Sequence, residues 1–257
     1  MTVQHKIILF SVAALIVAVG LWFVPPVAQD LAYHNFADQR GLFGIPNFGD
    51  VITNAAYSVI GLMGLYAVRR DQANEDVFRH KYEIVAARLA FIGVFFVGLG
   101  SGYYHWAPDN VTLVWDRLPM TLGFMGVFAM ILMERISYKF GAALLMPLVI
   151  FGLWSVHFWY MSEMAGTGDL RPYIFVQFFP LLAIPALLLM CKPVYTGVRY
   201  LWLMIAFYGL AKVLEYFDHQ VFDLLQGSVS GHSLKHLASA IGAYYLYRYT
   251  SERRYIG

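Results

Sequence analysis

One cysteine in 257 residues, Cys191, has no partner for an internal disulfide, so the fold must be held by packing alone. Charge is equally scarce. Charged residues make up 13% of the chain and the net charge is only +2, which excludes a basic nucleic-acid surface and the charged exterior of an ordinary soluble domain. Internal repeats, low-complexity tracts and long linkers are missing too, so residues 1–257 read as a single membrane domain. What is there instead is hydrocarbon. Hydrophobic residues are 60% of the chain and the mean hydropathy is positive, the composition of an integral membrane protein.

A membrane-spanning helix needs about 20 mostly apolar residues and must satisfy its own backbone hydrogen bonds. Eight stretches qualify, at 7–24, 51–68, 84–106, 112–135, 141–161, 172–191, 199–217 and 232–249. The predicted fold is therefore all-α, a polytopic transmembrane helix bundle. Segment 7–24 reads as a retained helix and not as a cleaved secretory signal, because no small-x-small site precedes Gln29. With eight crossings, 13 of the 18 basic residues fall on one side, and the other side keeps Arg40, Arg117, Arg171, Lys212 and Lys235. By the positive-inside rule the richer side, with both termini, is expected to be cytoplasmic.

Against this background one stretch stands out, GSGYYHWAPDNVTLVWDRLPMT at residues 100–121. Ser101 and His105 are four apart and share a helix face, and Asp116 lies one or two turns into the next helix at the same membrane edge. The last helix opens SGHSLKHLAS, in which His232 and His236 are again four apart. Three helix ends thus bring three imidazoles, a hydroxyl and a carboxylate to one depth, on the non-cytoplasmic side. Three neutral imidazoles with an open fourth position make a catalytic zinc site. The competing reading is packing: a single H-x-x-x-H is a weak signal, although ionisable groups within spans are functional candidates by default.

The remaining polar residues carry less. His5, His34 and His80 read as solvated tail or loop residues. His157 and His219 lie near the same edge and could stand behind the ligands, with interfacial packing the better reading. Asp169 and Arg171 precede Pro172 and suit a helix cap with an interfacial anchor; contact of Arg171 with a lipid head group is the sharper alternative. Lys212 and Glu215 are three apart in one helix and are expected to pair. Lys212 also keeps open a rival class, a retinal Schiff base.

The order Ser101-x-x-x-His105, Asp116 with Leu118 and Pro119, and His232-x-x-x-His236 resembles the alkaline ceramidase family, over about residues 30–250. That family belongs to a wider group of seven-helix membrane hydrolases that includes the adiponectin and progestin receptors. The phrases FADQRGLFGIPNFGDV, YYHWAPDN and SGHSLKH are similar to its bacterial branch, which implies a bacterial inner membrane. The resemblance implies a seven-helix core over 51–249 with helix 7–24 as an addition. It also implies zinc on His105, His232 and His236, proton handling by Asp116, and Ser101 hydrogen-bonding beside the metal. The implied reaction is hydrolysis of the amide of an N-acyl lipid, ceramide or ceramide-like, taken from the bilayer. An ester-lipid hydrolase and a zinc-containing receptor of the adiponectin type remain open. Eukaryotic members also carry an acidic calcium loop before the first core helix. The oxygen-rich candidates here are Asp38, Asn47, Asp50 and Asn54.

Overall fold

The computed structural model describes residues 2–257, and among them the regular structure is entirely helical. Eight long helices are present: α1 Val3–Phe23, α3 Ala55–Asp71, α4 Lys81–Trp106, α5 Asn110–Arg135, α6 Tyr138–Met164, α7 Arg171–Met190, α8 Val198–Tyr216 and α10 Gly231–Glu252. Two short helices, α2 Phe48–Thr53 and α9 Asp218–Leu224, extend α3 and α8. Local chemistry explains several boundaries. Thr2 caps α1 and the pair Pro25-Pro26 follows its end. Asp109 and Thr112 form a reciprocal capping box at the start of α5. Pro172 sits in the first turn of α7, where its missing N–H costs nothing.

Six of these segments are long and apolar enough to cross a membrane, with α2 and α3 counted as one; a seventh, α8, qualifies together with α9, from which it is bent by 81°. The eighth predicted span exists as helix α10, but it fails on hydropathy alone. Several of its polar side chains face inward, which lowers its hydropathy without exposing them: His232, Ser233, His236 and Thr250 are all buried. The chain is a multi-pass helical membrane protein.

Helices α3, α4, α5, α7, α8 and α10 contact one another in a closed ring, with α6 against α5 and α7. Close approach of α4 to α5 depends on glycine. A Cβ on Gly93 would strike the backbone of Gly123, one on Gly126 the backbone of Ala90, and one on Gly100 the carbonyl of Trp115. Backbones meeting this closely gain dispersion contacts, which in lipid replace the hydrophobic force as the source of association. Helix α1 lies outside the ring with no buried residue. It is held by Phe10, whose ring is 5.8–5.9 Å from those of Phe128, Phe140 and Phe179, and by Lys6 Nζ donating to the Arg135 carbonyl at 3.0 Å.

The end of the bundle opposite the histidines is closed by Arg253. Its guanidinium is fully buried, pairs with Glu134 and with Glu83 at 3.6 Å, and donates through Nε to the Val77 carbonyl at 2.8 Å. Tyr195 and Tyr249 donate to the same two carboxylates at 2.7 and 2.6 Å. Each of these three buried charges therefore meets a partner, as a low-dielectric interior requires, while Arg135 nearby donates to the Cys191 carbonyl.

Candidate metal centre

His105 occupies the last turn of α4, and His232 and His236 the first two turns of α10. All three are at most 3% exposed. Ring centroids are 4.8 Å apart for His105–His232, 4.8 Å for His105–His236 and 4.9 Å for His232–His236. The loop before α2 supplies a cover: Phe36 packs 4.6 Å from the His105 ring and 4.4 Å from that of His232. Asp218 fixes both sides of this contact, because its two oxygens accept the amides of His232, at 2.7 Å, and Ala37, at 2.9 Å. Asn47 Nδ2 donates to the His105 carbonyl at 2.8 Å.

The three imidazoles fit a cation. His105 Nε2 and His232 Nε2 face each other at 3.3 Å, and a tetrahedron with metal–nitrogen bonds of about 2.0–2.1 Å has edges of about 3.3–3.4 Å. His236 Nδ1 is held by Thr53 Oγ1 at 3.0 Å, while its Nε2 is buried with no partner. An outer hydrogen bond of that kind fixes the ring and leaves the second nitrogen to ligate. Among the described residues this is the one group of His, Cys, Asp and Glu side chains with metal-binding geometry.

Lys235 was not singled out from the sequence. Its Nζ lies 3.0 Å from His232 Nε2 and 2.9 Å from Glu215, which also pairs with Lys212 at 2.6 Å. An ammonium and a metal cannot share one lone pair, so Glu215 is the group that keeps the ammonium when His232 ligates. The position is readable in hindsight, since 235 is three residues from 232 and on the same helical face. The expected Lys212–Glu215 pair is present, extended by this second lysine.

Asp116, in the second turn of α5, and Ser101, one turn before His105, neighbour each other and line one cavity with His236. The absent side chain at Gly100 makes this contact, because only there does α4 reach the backbone of Trp115 and Asp116. The cavity has a volume of about 420 Å³, within the about 300–1,000 Å³ of small-molecule sites, and its walls are mostly apolar.

Several oxygens of the calcium candidates are already engaged in hydrogen bonds. Asp38 is bidentate with Arg40, both contacts being 2.7 Å, and this guanidinium holds its carboxyl below the usual carboxylate range. Asn47 is spent on the His105 carbonyl. Asp50 Oδ1 accepts from Ser233 at 2.6 Å and Ser230 at 3.2 Å, next to the start of α10, and Asn54 Nδ2 donates to the Asp50 carbonyl at 2.7 Å. Asp50 Oδ2 and Asn54 Oδ1 stay buried without a partner, two of the six to eight oxygens a calcium ion takes.

The candidates for a supporting role also lie elsewhere. His157 is exposed on α6, and His219 is exposed with its Nε2 3.1 Å from the Asn35 carbonyl. Arg171 grips Asp169, whose carboxyl it keeps low, and donates to the carbonyls of Trp22 and Val24, so it fastens the end of α1 to α7. His34, expected to be solvated, is instead half-buried between Tyr104 Oη at 2.8 Å and Asn110 Oδ1 at 3.0 Å. It thereby ties the covering loop to α4 and α5.

No individually curated protein matches the chain. A family profile described as Ceramidase matches residues 45–255, a range that holds Ser101, Asp116 and all three histidines, and the chain belongs to the ceramidase family.

Proposed function

We propose that the protein is a zinc-dependent intramembrane hydrolase that cleaves the amide of an N-acyl lipid, ceramide or ceramide-like, and releases a fatty acid. The observation that carries this reading is the buried triad, whose His236 lines a mostly apolar cavity together with Asp116 and Ser101. A zinc ion held by His105, His232 and His236 supplies Lewis acidity toward water and the amide carbonyl. Asp116 takes the proton from the attacking water and returns it to the departing amine. Ser101 donates a hydrogen bond where negative charge develops on the carbonyl oxygen. The apolar walls take the acyl chain, and the covering loop with Phe36 restricts water. The test is metal analysis of purified protein together with mass spectrometry of products from mixed amide and ester lipids. Fatty acid released from amides is the expected result. Release from esters alone would favour an ester-lipid hydrolase, and release from neither would favour a receptor.

The same reading places the triad on the non-cytoplasmic side of a bacterial inner membrane, with both termini cytoplasmic. Its support is the excess of Lys and Arg at the opposite end of the bundle. A cysteine introduced at Glu75, in the exposed loop between α3 and α4, should react with an impermeant thiol reagent only from the cytoplasmic side. One introduced at Thr167, between α6 and α7, should react only from outside. The native Cys191 is buried and does not interfere. Reversed labelling would move the site to the other leaflet.

A further inference from the structure

Arg117 follows Asp116 on α5 and is only 6% exposed, yet no carboxylate lies within ion-pairing distance of it among the described residues. Its Nη2 donates to Gln29 Oε1 at 2.6 Å. The guanidinium lies over Trp159 at 4.1 Å and Tyr173 at 4.7 Å, aromatic faces that tolerate a cation without neutralising it. Its Nη1 is buried and has no partner, although the residue lines the same cavity as Asp116, Ser101 and His236. Arg253, at the other end of the bundle, is matched by two carboxylates. A buried, uncompensated charge is strongly unfavourable, and a fold that holds one in a binding cavity is prepared for a ligand that compensates it.

The other charges of the cavity do not supply the missing anion. Lys212 and Lys235 both engage Glu215, at 2.6 and 2.9 Å, so that cluster is itself one cation in excess. Asp116 is the remaining carboxylate, and it is hydrogen-bonded to Ser101 and makes no ion pair with its neighbour. The walls therefore carry three fixed cations against two carboxylates before any metal is counted.

We propose that Arg117 is a subsite for an anionic oxygen group on the amine half of the substrate, so that among ceramide-like N-acyl lipids one carrying such a group is cleaved in preference to its neutral counterpart. The carboxylate of an N-acyl amino acid and the phosphate of an N-acyl amino-alcohol phosphate share this chemistry, since a guanidinium edge donates to either. This assignment rests on the hydrolase reading for the word substrate, but the anion subsite itself does not.

Two pairs of probes test it in neutral detergent: N-dodecanoylglycine against its methyl ester, and N-dodecanoylethanolamine phosphate against N-dodecanoylethanolamine. The wild type should prefer the anion of at least one pair by about tenfold or more in kcat/KM, the size expected for a charge-assisted hydrogen bond. Which pair responds tells carboxylate from phosphate. In Arg117→Gln the ratio should collapse toward one, mainly through KM, and Arg117→Lys should restore part of it. Binding to metal-stripped protein, followed by thermal stabilisation, should show the same preference and the same loss. Equal kcat/KM for charged and neutral members in the wild type would overturn the proposal. So would a fall for both members in Arg117→Gln with their ratio intact, which is what a purely structural arginine produces. Loss of inhibition by dodecanoate alone, with substrate preference unchanged, would give the guanidinium to the released acid and also overturn it. Charge-selective binding without turnover of any amide would sink the hydrolase reading and leave the anion subsite standing; turnover without selectivity would do the reverse.

Discussion

Alanine at His105, His232 or His236 should remove most of the zinc from the purified protein, and do so equally from either helix. The reasoning starts from separation in sequence. His105 closes α4, while His232 and His236 open α10, so no local structural role is common to all three. What they share is a small buried volume in which their ligating atoms all lie within 4.8 Å. Loss of an outer hydrogen bond to a ligand typically weakens a metal by about 10–100-fold, so loss of a ligand itself must exceed that range. Thr53→Val should then give the intermediate result, because it removes the bond to His236 Nδ1, along with those to the Gly49 and Asp50 carbonyls, and leaves all three ligands in place. His157→Ala, on the exposed face of α6, should leave the metal untouched. Measured by elemental analysis, zinc near one equivalent per chain in all three triad variants would reduce the cluster to packed histidines.

The triad was legible because a helix fixes the outcome of its own spacing. Residues four apart share a face wherever the helix goes, and counting apolar spans places the ends of α4, α5 and α10 on one side without any knowledge of their packing. What closes the site was not legible in this way. Phe36 and Asp218 act from a loop and from a short helix bent away from α8, segments without hydrophobic periodicity, and only the folded chain brings them to His105 and His232. His34 was misplaced for the same reason. An irregular segment reads as solvated when its partners, here Tyr104 and Asn110, are some 70 residues away.

Helix α10 shows the opposite weakness of composition. Its imidazoles, hydroxyls and lysine lower the hydropathy below what a span needs, yet those groups are the ones turned inward to Glu215, Asp50 and one another. The calcium candidates turn on contacts that the sequence does not show. Asp38 has the right chemistry, but Arg40, two residues on, already supplies the cation. Gly100 belongs with these cases. Nothing in the sequence marks it above the chain's other glycines, but its bare Cα lets Ser101 stand against Asp116.

Asp116→Asn separates an enzyme from a zinc-binding structural protein. Asparagine keeps the shape of the side chain and one acceptor oxygen, so the packing on the cavity wall beside Ser101 is preserved while the basic carboxylate is lost. A simple capping or ion-pairing role for this residue finds no support in the structure. Asp109, not Asp116, caps α5, and Arg117 turns to Gln29 instead of to its neighbour. What remains is a buried carboxylate on the wall of the cavity that His236 also lines. General acid–base groups contribute about 100- to 10,000-fold in rate, so turnover of an N-acyl lipid should fall by a factor in that range. Zinc content should stay at the wild-type level, because all three imidazoles are untouched. The loss should appear in kcat more than in KM, since the proton is taken in the transition state and not on binding. Turnover within a few-fold of wild type, at full zinc occupancy, would remove Asp116 from the reaction and leave the proton to Glu215, the other carboxylate on the cavity wall.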